Sequence, residues 1–294
     1  MSATPSQKPV EELIWKFFPA RKDRKRTKGI RARSVVALYH VLGEPRTGGG
    51  GMLRTIDMHP AAARTLATEL LEYVPGAYCS VMRRRHPEWF LVDAGTDLVI
   101  EGYQSCGNTF ARKAMEHANP GARIASHSHS WANVARGLGL GKPVVVLLRP
   151  PLEAVASHAV RMRLDDLDRE LRRYRRFYRR TAAAGDAVVL APFPVAVDRF
   201  GEVIRAVNAR FATAFKPFDH HDPVAKAEVF EEMEREALST PSELDRMWRI
   251  ARPNDERKEA TREMQARLTA PPHRSALARC QAVYDRLIQT STLS

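Results

Sequence analysis

Between Gly102 and Thr109 the chain reads Gly-Tyr-Gln-Ser-Cys-Gly-Asn-Thr, a G-x-x-x-x-G-x-T spacing set between an apolar run and a helical pattern. Glycine at both ends lets the backbone turn sharply, so that successive amides and the opening turn of a helix can surround a phosphate group. Asn108 stands where nucleoside triphosphatases carry the lysine that binds the β and γ phosphates, so ATP or GTP turnover is not expected. A second set follows: Arg149 closes another apolar run, and Ser157 comes eight residues later on the opening turns of a helical segment. A guanidinium fork at a strand end with a hydroxyl nearby suits a phosphate monoester. Between the two sets lie His127 and His129, side chains that titrate near neutrality and suit a base accepting a hydroxyl proton. In an extended stretch both rings would point to one face. A metal site is the competing use of such a pair, but no third ligand accompanies them in the sequence. The pair His220-His221 lies in a polar stretch and reads as surface.

Elements that could position these groups are legible around them. Leu98 to Tyr103 (LVIEGY), Val144 to Leu148 (VVVLL) and Ala187 to Ala191 (AVVLA) are short apolar runs bounded by turn residues, the pattern of strands buried on both faces; Ala122 to Ala125 predicts a shorter one. Helical patterns follow over Thr109 to Ala118, Leu152 to Arg163 and Arg199 to Phe215. Strand, loop and helix in repetition predict an α/β fold with a parallel sheet flanked by helices. A helix is expected from Pro60, with Gly76 at its exit, and a helical C-terminal region from Val224 to Ile288, interrupted at Pro241, Pro253 and Pro271-Pro272. Leu164, Leu167, Leu171, Tyr174, Phe177 and Tyr178 recur at helical spacing, so the arginines between Arg169 and Arg180 form the outer, solvated face of an amphipathic helix.

The segment GYQSCGNTF resembles the 5′-phosphosulfate loop of sulfotransferases, Y-P-[KR]-S-G-x-T-[WF], and RPPLEAVAS resembles their 3′-phosphate motif, R-[DN]-P-x-[DE]-x-x-x-S. The resemblance covers residues 97–218 in ordered motifs and implies a P-loop NTPase-like sheet. It further implies 3′-phosphoadenosine 5′-phosphosulfate as co-substrate, without a metal, and an acceptor hydroxyl or amine on a small molecule, glycan or lipid. Carried over, Gln104, Ser105, Cys106, Gly107, Asn108, Thr109 and Phe110 would line the 5′-phosphosulfate, with Phe110 near the adenine; Arg149 and Ser157 would hold the 3′-phosphate. His127 matches the catalytic histidine by its distance to Arg149, with His129 as its rival. Three positions depart from the pattern: Ser105 replaces the family's lysine or arginine, Cys106 its serine, and Pro150 its acidic residue. Arg112 and Lys113 are the candidates to supply the missing cation, and Arg252, Arg257 and Lys258 loosely resemble a further 3′-phosphate contact.

The chain has 294 residues, 44% hydrophobic and 28% charged, the balance of a globular protein. No apolar run approaches the roughly 18 to 20 residues that span a bilayer, and no signal-peptide core is present, so the cytoplasm is the expected location. Cys79, Cys106 and Cys280 are too scattered for a disulfide framework or metal cluster. The formal net charge of +13 suits polyanionic partners. Part of it sits in Arg21 to Arg33, within residues 1–55, which read as a flexible basic arm ahead of one α/β domain over residues 56–294. Val10 to Phe18 could form a short helix that, with the basic run, contacts an anionic membrane surface; nucleic acid is not the expected partner. Two rival functions stand beside sulfuryl transfer: nucleotide binding with little catalysis, and a nucleic-acid or membrane-surface role carried by the arm.

Overall fold

The computed structural model describes residues 68–87, 89–239 and 255–293, which fall into two units that separate between Trp89 and Phe90. The arm and the prolines at 241 and 253 lie outside the described residues. In the first unit, helix α1 (Pro75–Arg85) buries Tyr78, Cys79, Val81 and Met82. Proline opens α1 because its missing N–H costs nothing in a first turn. Gly76, expected to end a helix, therefore sits at the start of one.

The second unit is an α/β layer structure. In chain order it comprises β1 (Leu98–Gly102), α2 (Asn108–Ala118), β2 (Ile124–Ser126), α3 (Trp131–Gly139), β3 (Val144–Leu148), α4 (Pro151–Met162) and α5 (Leu167–Ala184). There follow β4 (Val189–Pro192), α6 (Phe193–Asp198), α7 (Phe200–Phe211), α8 (Pro223–Ser239), α9 (Asp255–Thr269) and α10 (Pro271–Thr290). The strands are all parallel in the order β2-β1-β3-β4, and every strand residue is buried. The chain leaves β1 toward β2 on one side and then crosses to β3 on the other. β1 and β3 therefore flank the point where strand order reverses, and in parallel α/β sheets the crevice beside such a point, at the carboxyl ends of the strands, is where ligands bind.

Several boundaries shift for local reasons. β4 starts later than expected because Gly185–Ala187 forms a 3₁₀ turn, and α7 stops at Phe211 because Ala212 takes a left-handed conformation with φ 52°. α5 buries Leu167, Leu171, Tyr174, Phe177, Tyr178 and Thr181 along one stripe, and that stripe also takes in Glu170. α10 packs on α5, α9 on α4, and α8 on α2.

The α2–α8 contact is ionic. Arg112 is only 2% exposed. Its guanidinium donates to Glu116 at 2.8 Å and to both oxygens of Glu236 at 2.5 and 2.6 Å, while lying 4.3 Å from the Phe90 ring centroid. Lys113 Nζ meets Glu232 at 2.8 Å and Glu236 at 2.9 Å. Truncating Glu236 leaves a buried arginine with half its partners. We expect Glu236→Ala to cost about 1.5 to 3 kcal/mol, read from urea unfolding, while Glu231→Ala on the exposed side of α8 changes stability by less than about 0.5 kcal/mol.

Candidate functional site

The loops after β1, β2 and β3 meet at the carboxyl edge of the sheet. In the first, a Cβ on Gly102 would stand 2.9 Å from the Leu147 carbonyl oxygen, so only glycine allows this approach of β1 to β3. Gly107, at φ 89°, leads into α2 with no side-chain cap. The first helical bond there is Ala111 N to Gly107 O, at 2.9 Å. The amides of Asn108, Thr109 and Phe110 precede that bond, which leaves the positive end of α2 open to an anion.

Side chains of this loop divide into lacing and lining groups. Asn108, 4% exposed, turns inward and donates from Nδ2 to the Tyr103 carbonyl at 3.1 Å. Cys106 is fully buried with Sγ 3.4 Å from the Tyr178 hydroxyl, and burial pushes its thiol up to about 12. It is a packing group, not a nucleophile. Phe110 packs in the core against Phe218 and Phe230, at ring separations of 6.2 and 5.5 Å, and offers no open face for adenine. Gln104 Oε1 is buried without a partner. Three tyrosines hold the arrangement. The Tyr178 hydroxyl donates to Leu147 O at 2.7 Å and accepts from Tyr103 N at 3.2 Å. The Tyr174 hydroxyl donates to Arg149 O at 2.7 Å, and that of Tyr103 donates to Glu170 at 2.8 Å.

Arg149 joins the two phosphate-motif loops. Its Nη1 donates to Ser105 O at 2.8 Å, its Nε to Glu153 at 3.2 Å, and its guanidinium lies 4.2 Å from the Phe193 ring centroid. The carbonyl it holds belongs to Ser105, whose φ of 60° is left-handed. Ser157 is half-buried on α4. Arg112 and Lys113, the sequence candidates for the missing cation, are engaged with the carboxylates of α8 and α2 and are not free to serve the loop. Arg252 lies outside the described residues, and Lys258 pairs with exposed Asp255 at 2.8 Å. His221 is exposed as expected, whereas His220 is half-buried.

The histidine loop is not extended. His127 and His129 have φ of 65° and 49°, and their rings lie 5.9 Å apart at 67° instead of standing side by side on a strand face. The cause is Glu101, a carboxylate at 0% exposure inside β1. Its Oε1 accepts from Ser128 N at 3.0 Å, Ser128 Oγ at 2.7 Å and Asn133 Nδ2 at 2.8 Å, and its Oε2 accepts from His129 N at 3.0 Å. Asn133 Oδ1 in turn accepts from Val92 N at 2.9 Å. Burial pushes the Glu101 carboxyl up to about 7 although all four donors pull it down. The sequence did carry a signal, a single acid within an apolar run, since an acid is rarely fully buried unless paired.

The two histidines differ in readiness. His127 has both ring nitrogens occupied, Nδ1 at 2.7 Å from Ser126 Oγ and Nε2 at 3.0 Å from Thr109 Oγ1. His129 Nδ1 lies 2.9 Å from the Gly102 carbonyl. A carbonyl only accepts, so Nδ1 carries the proton and Nε2 keeps its lone pair. Burial pushes His129 down to about 4; burial, then the His129 and Arg112 charges, hold His127 well below its ordinary value. Both are neutral at pH 7.

No group of three or more histidine, cysteine or acidic residues that could hold a metal occurs among the described residues, and no described helix is long and apolar enough to cross a membrane. No protein family, curated protein or solved structure matches the chain.

Glu101→Gln keeps an acceptor for Ser128 and Asn133 but turns an NH₂ group toward the His129 amide. Folded Glu101 holds its proton to about 7 and the unfolded chain loses it near 4.5, so its contribution is full below 4.5 and lost as pH rises through 7. Between pH 4.5 and 8 the variant should gain roughly 3 kcal/mol relative to wild type, measured as urea stability at both pH values. A difference independent of pH contradicts the assignment.

Proposed function

We propose that this protein binds a 3′-phosphorylated adenine nucleotide in the crevice between β1 and β3 and transfers a sulfuryl group from 3′-phosphoadenosine 5′-phosphosulfate to an acceptor hydroxyl or amine. The observation that carries the reading is the convergence of three sequence-separated sets: Arg149 bonded to the Ser105 carbonyl, Thr109 against His127, and His129 against Gly102. The opening amides of α2 would receive the 5′-phosphosulfate, Arg149 and Ser157 the 3′-phosphate. Support comes equally from the strand-order reversal, where α/β sheets bind ligands, and from Asn108, whose inward amide leaves no lysine for a triphosphate.

His129 is the better placed base. Its Nε2 takes the acceptor's proton as the acceptor atom bonds to sulfur; the bond between sulfur and the bridging oxygen breaks, and adenosine 3′,5′-bisphosphate leaves. With its pKa near 4, His129 is neutral and receives the proton late, once the acceptor has begun to lose electrons to sulfur. His127 holds the Thr109 hydroxyl at the edge of the reacting group.

Binding with slow transfer is the second reading, favoured by Ser105 in the cation position and by Arg112 and Lys113 being drawn to α8. One missing transition-state donor lowers rates roughly 100- to 1000-fold.

The test is transfer of radiolabelled sulfate from the nucleotide to a panel of hydroxyl and amine acceptors. His129→Ala should lower kcat about 100-fold or more, and His127→Ala less. Arg149→Ala should act mainly on the nucleotide KM. Full turnover in both histidine variants would sink the assignment.

A further inference from the structure

From Arg169 to Arg180, α5 carries seven arginines in twelve residues and no lysine. Its inner stripe is occupied: Tyr174 and Tyr178 reach Arg149 O and Leu147 O, and Leu171 and Phe177 are buried on the same side. On the opposite side Arg169, Arg172, Arg176 and Arg179 recur at steps of three, four and three residues, which sets them in one row along the helix. Arg169, Arg172 and Arg179 are exposed and Arg176 is half-buried. At about 1.5 Å of rise per residue, the row runs roughly 15 Å.

The acids of this helix are committed elsewhere. Glu170, the one carboxylate between Arg169 and Arg180, is 3% exposed and bonded to Tyr103 and Arg173. Asp168 meets His273 at 2.8 Å, and Asp166 caps the helix by accepting from the Arg169 amide at 3.0 Å. Among the described residues, no hydrogen bond or ion pair engages the guanidinium of Arg169, Arg172 or Arg179. α10, packed beside α5, carries three arginines and a single acid, Asp285, which accepts from Gln281 at 2.8 Å. Like charges three and four residues apart repel, so the helix holds this row against its own electrostatics. A complementary array of anions would relieve it.

We propose that the outer row of α5 docks the sugar-phosphate backbone of duplex nucleic acid, without reading its bases. Guanidinium forks pair with phosphate oxygens in a fixed planar geometry, and a straight row of them complements a regularly charged backbone. A membrane surface fits less well, because an interfacial helix buries its apolar side in lipid and the apolar side of α5 is packed inside the unit. Single strands fit less well too, since the row has no aromatic side chain on which bases could stack. The row faces away from the tyrosines that hold the phosphate-motif loops, so this docking is separate from nucleotide binding.

The experiment follows the fluorescence anisotropy of a labelled DNA duplex of about 25 base pairs as the full chain is added, in sodium chloride from about 50 to 200 mM and with two unrelated sequences. Wild type should bind both sequences equally, and more weakly as salt rises. Arg172→Gln combined with Arg179→Gln should weaken binding at least tenfold near 100 mM salt and lower the slope of log K against log salt by about 1.8, since each phosphate contact contributes about 0.9. Its thermal midpoint without DNA should match wild type, because both side chains are exposed. Lys226→Gln combined with Arg262→Gln removes the same charge from cations paired with Asp198 and Glu259 and should leave the slope as it was. Equal loss in the two double variants would reduce the effect to net charge, and wild-type binding by the row variant would assign it to another part of the chain; either result overturns the proposal. Duplex DNA that does not bind overturns it as well, and row-dependent binding to phosphatidylserine vesicles in that case would make the occupant a membrane.

Discussion

A carboxylate at the heart of a hydrophobic sheet organises this molecule's candidate site. Glu101 occupies β1 at zero exposure, where an ionised acid is costly unless fully hydrogen-bonded. Four donors offset part of that cost, three of them from residues 128 and 129 and one from Asn133 on α3. Because two donors are backbone amides, the loop after β2 has little choice of path. It folds back over the end of β1, which forces left-handed backbone at both histidines and sets His129 against Gly102. The same strand ends in that glycine and begins the phosphate-motif loop, so one buried acid couples the histidine pair to the open end of α2.

The distribution of positive charge then distinguishes structural cations from available ones. Arg112 and Lys113 look well placed in sequence, immediately after the loop, but α8 brings three acids, Glu228, Glu232 and Glu236, to the side of α2. What remains at the loop is Arg149, held between the loops after β1 and β3. The loop thus lacks a lysine of its own, and positive charge reaches it from Arg149, just past the end of β3.

Much of the scaffold was legible in the sequence because its signals are local. Val144–Leu148 is a β-branched run with every residue buried, and its bounds read directly. The phosphate-motif spacings mark turns, and turns carry glycine for steric reasons that a sequence displays. The inner face of α5 followed from periodicity. What escaped were pairings between distant residues. The Tyr178 hydroxyl serves Tyr103 across 75 positions, and Arg112 finds Glu236 across 124; neither partner has a local pattern that announces the other. The extended reading of residues 127 to 129 failed for the same reason, since the acid that bends the segment lies on another strand. Gly76 misled by type alone: Pro75 beside it carried the stronger helix-start signal.

The central claim is that the two loops together hold a nucleotide phosphorylated at both the 3′ and 5′ positions. Thermal unfolding of the purified chain with adenosine 3′,5′-bisphosphate, 5′-AMP and magnesium-ATP in parallel, at fixed ionic strength, tests it most directly. At about 100 times its Kd the bisphosphate should add roughly 2.7 kcal/mol of stability, with little effect from 5′-AMP. Equal stabilisation by 5′-AMP, preferential stabilisation by magnesium-ATP, or no response to any of the three would contradict the account.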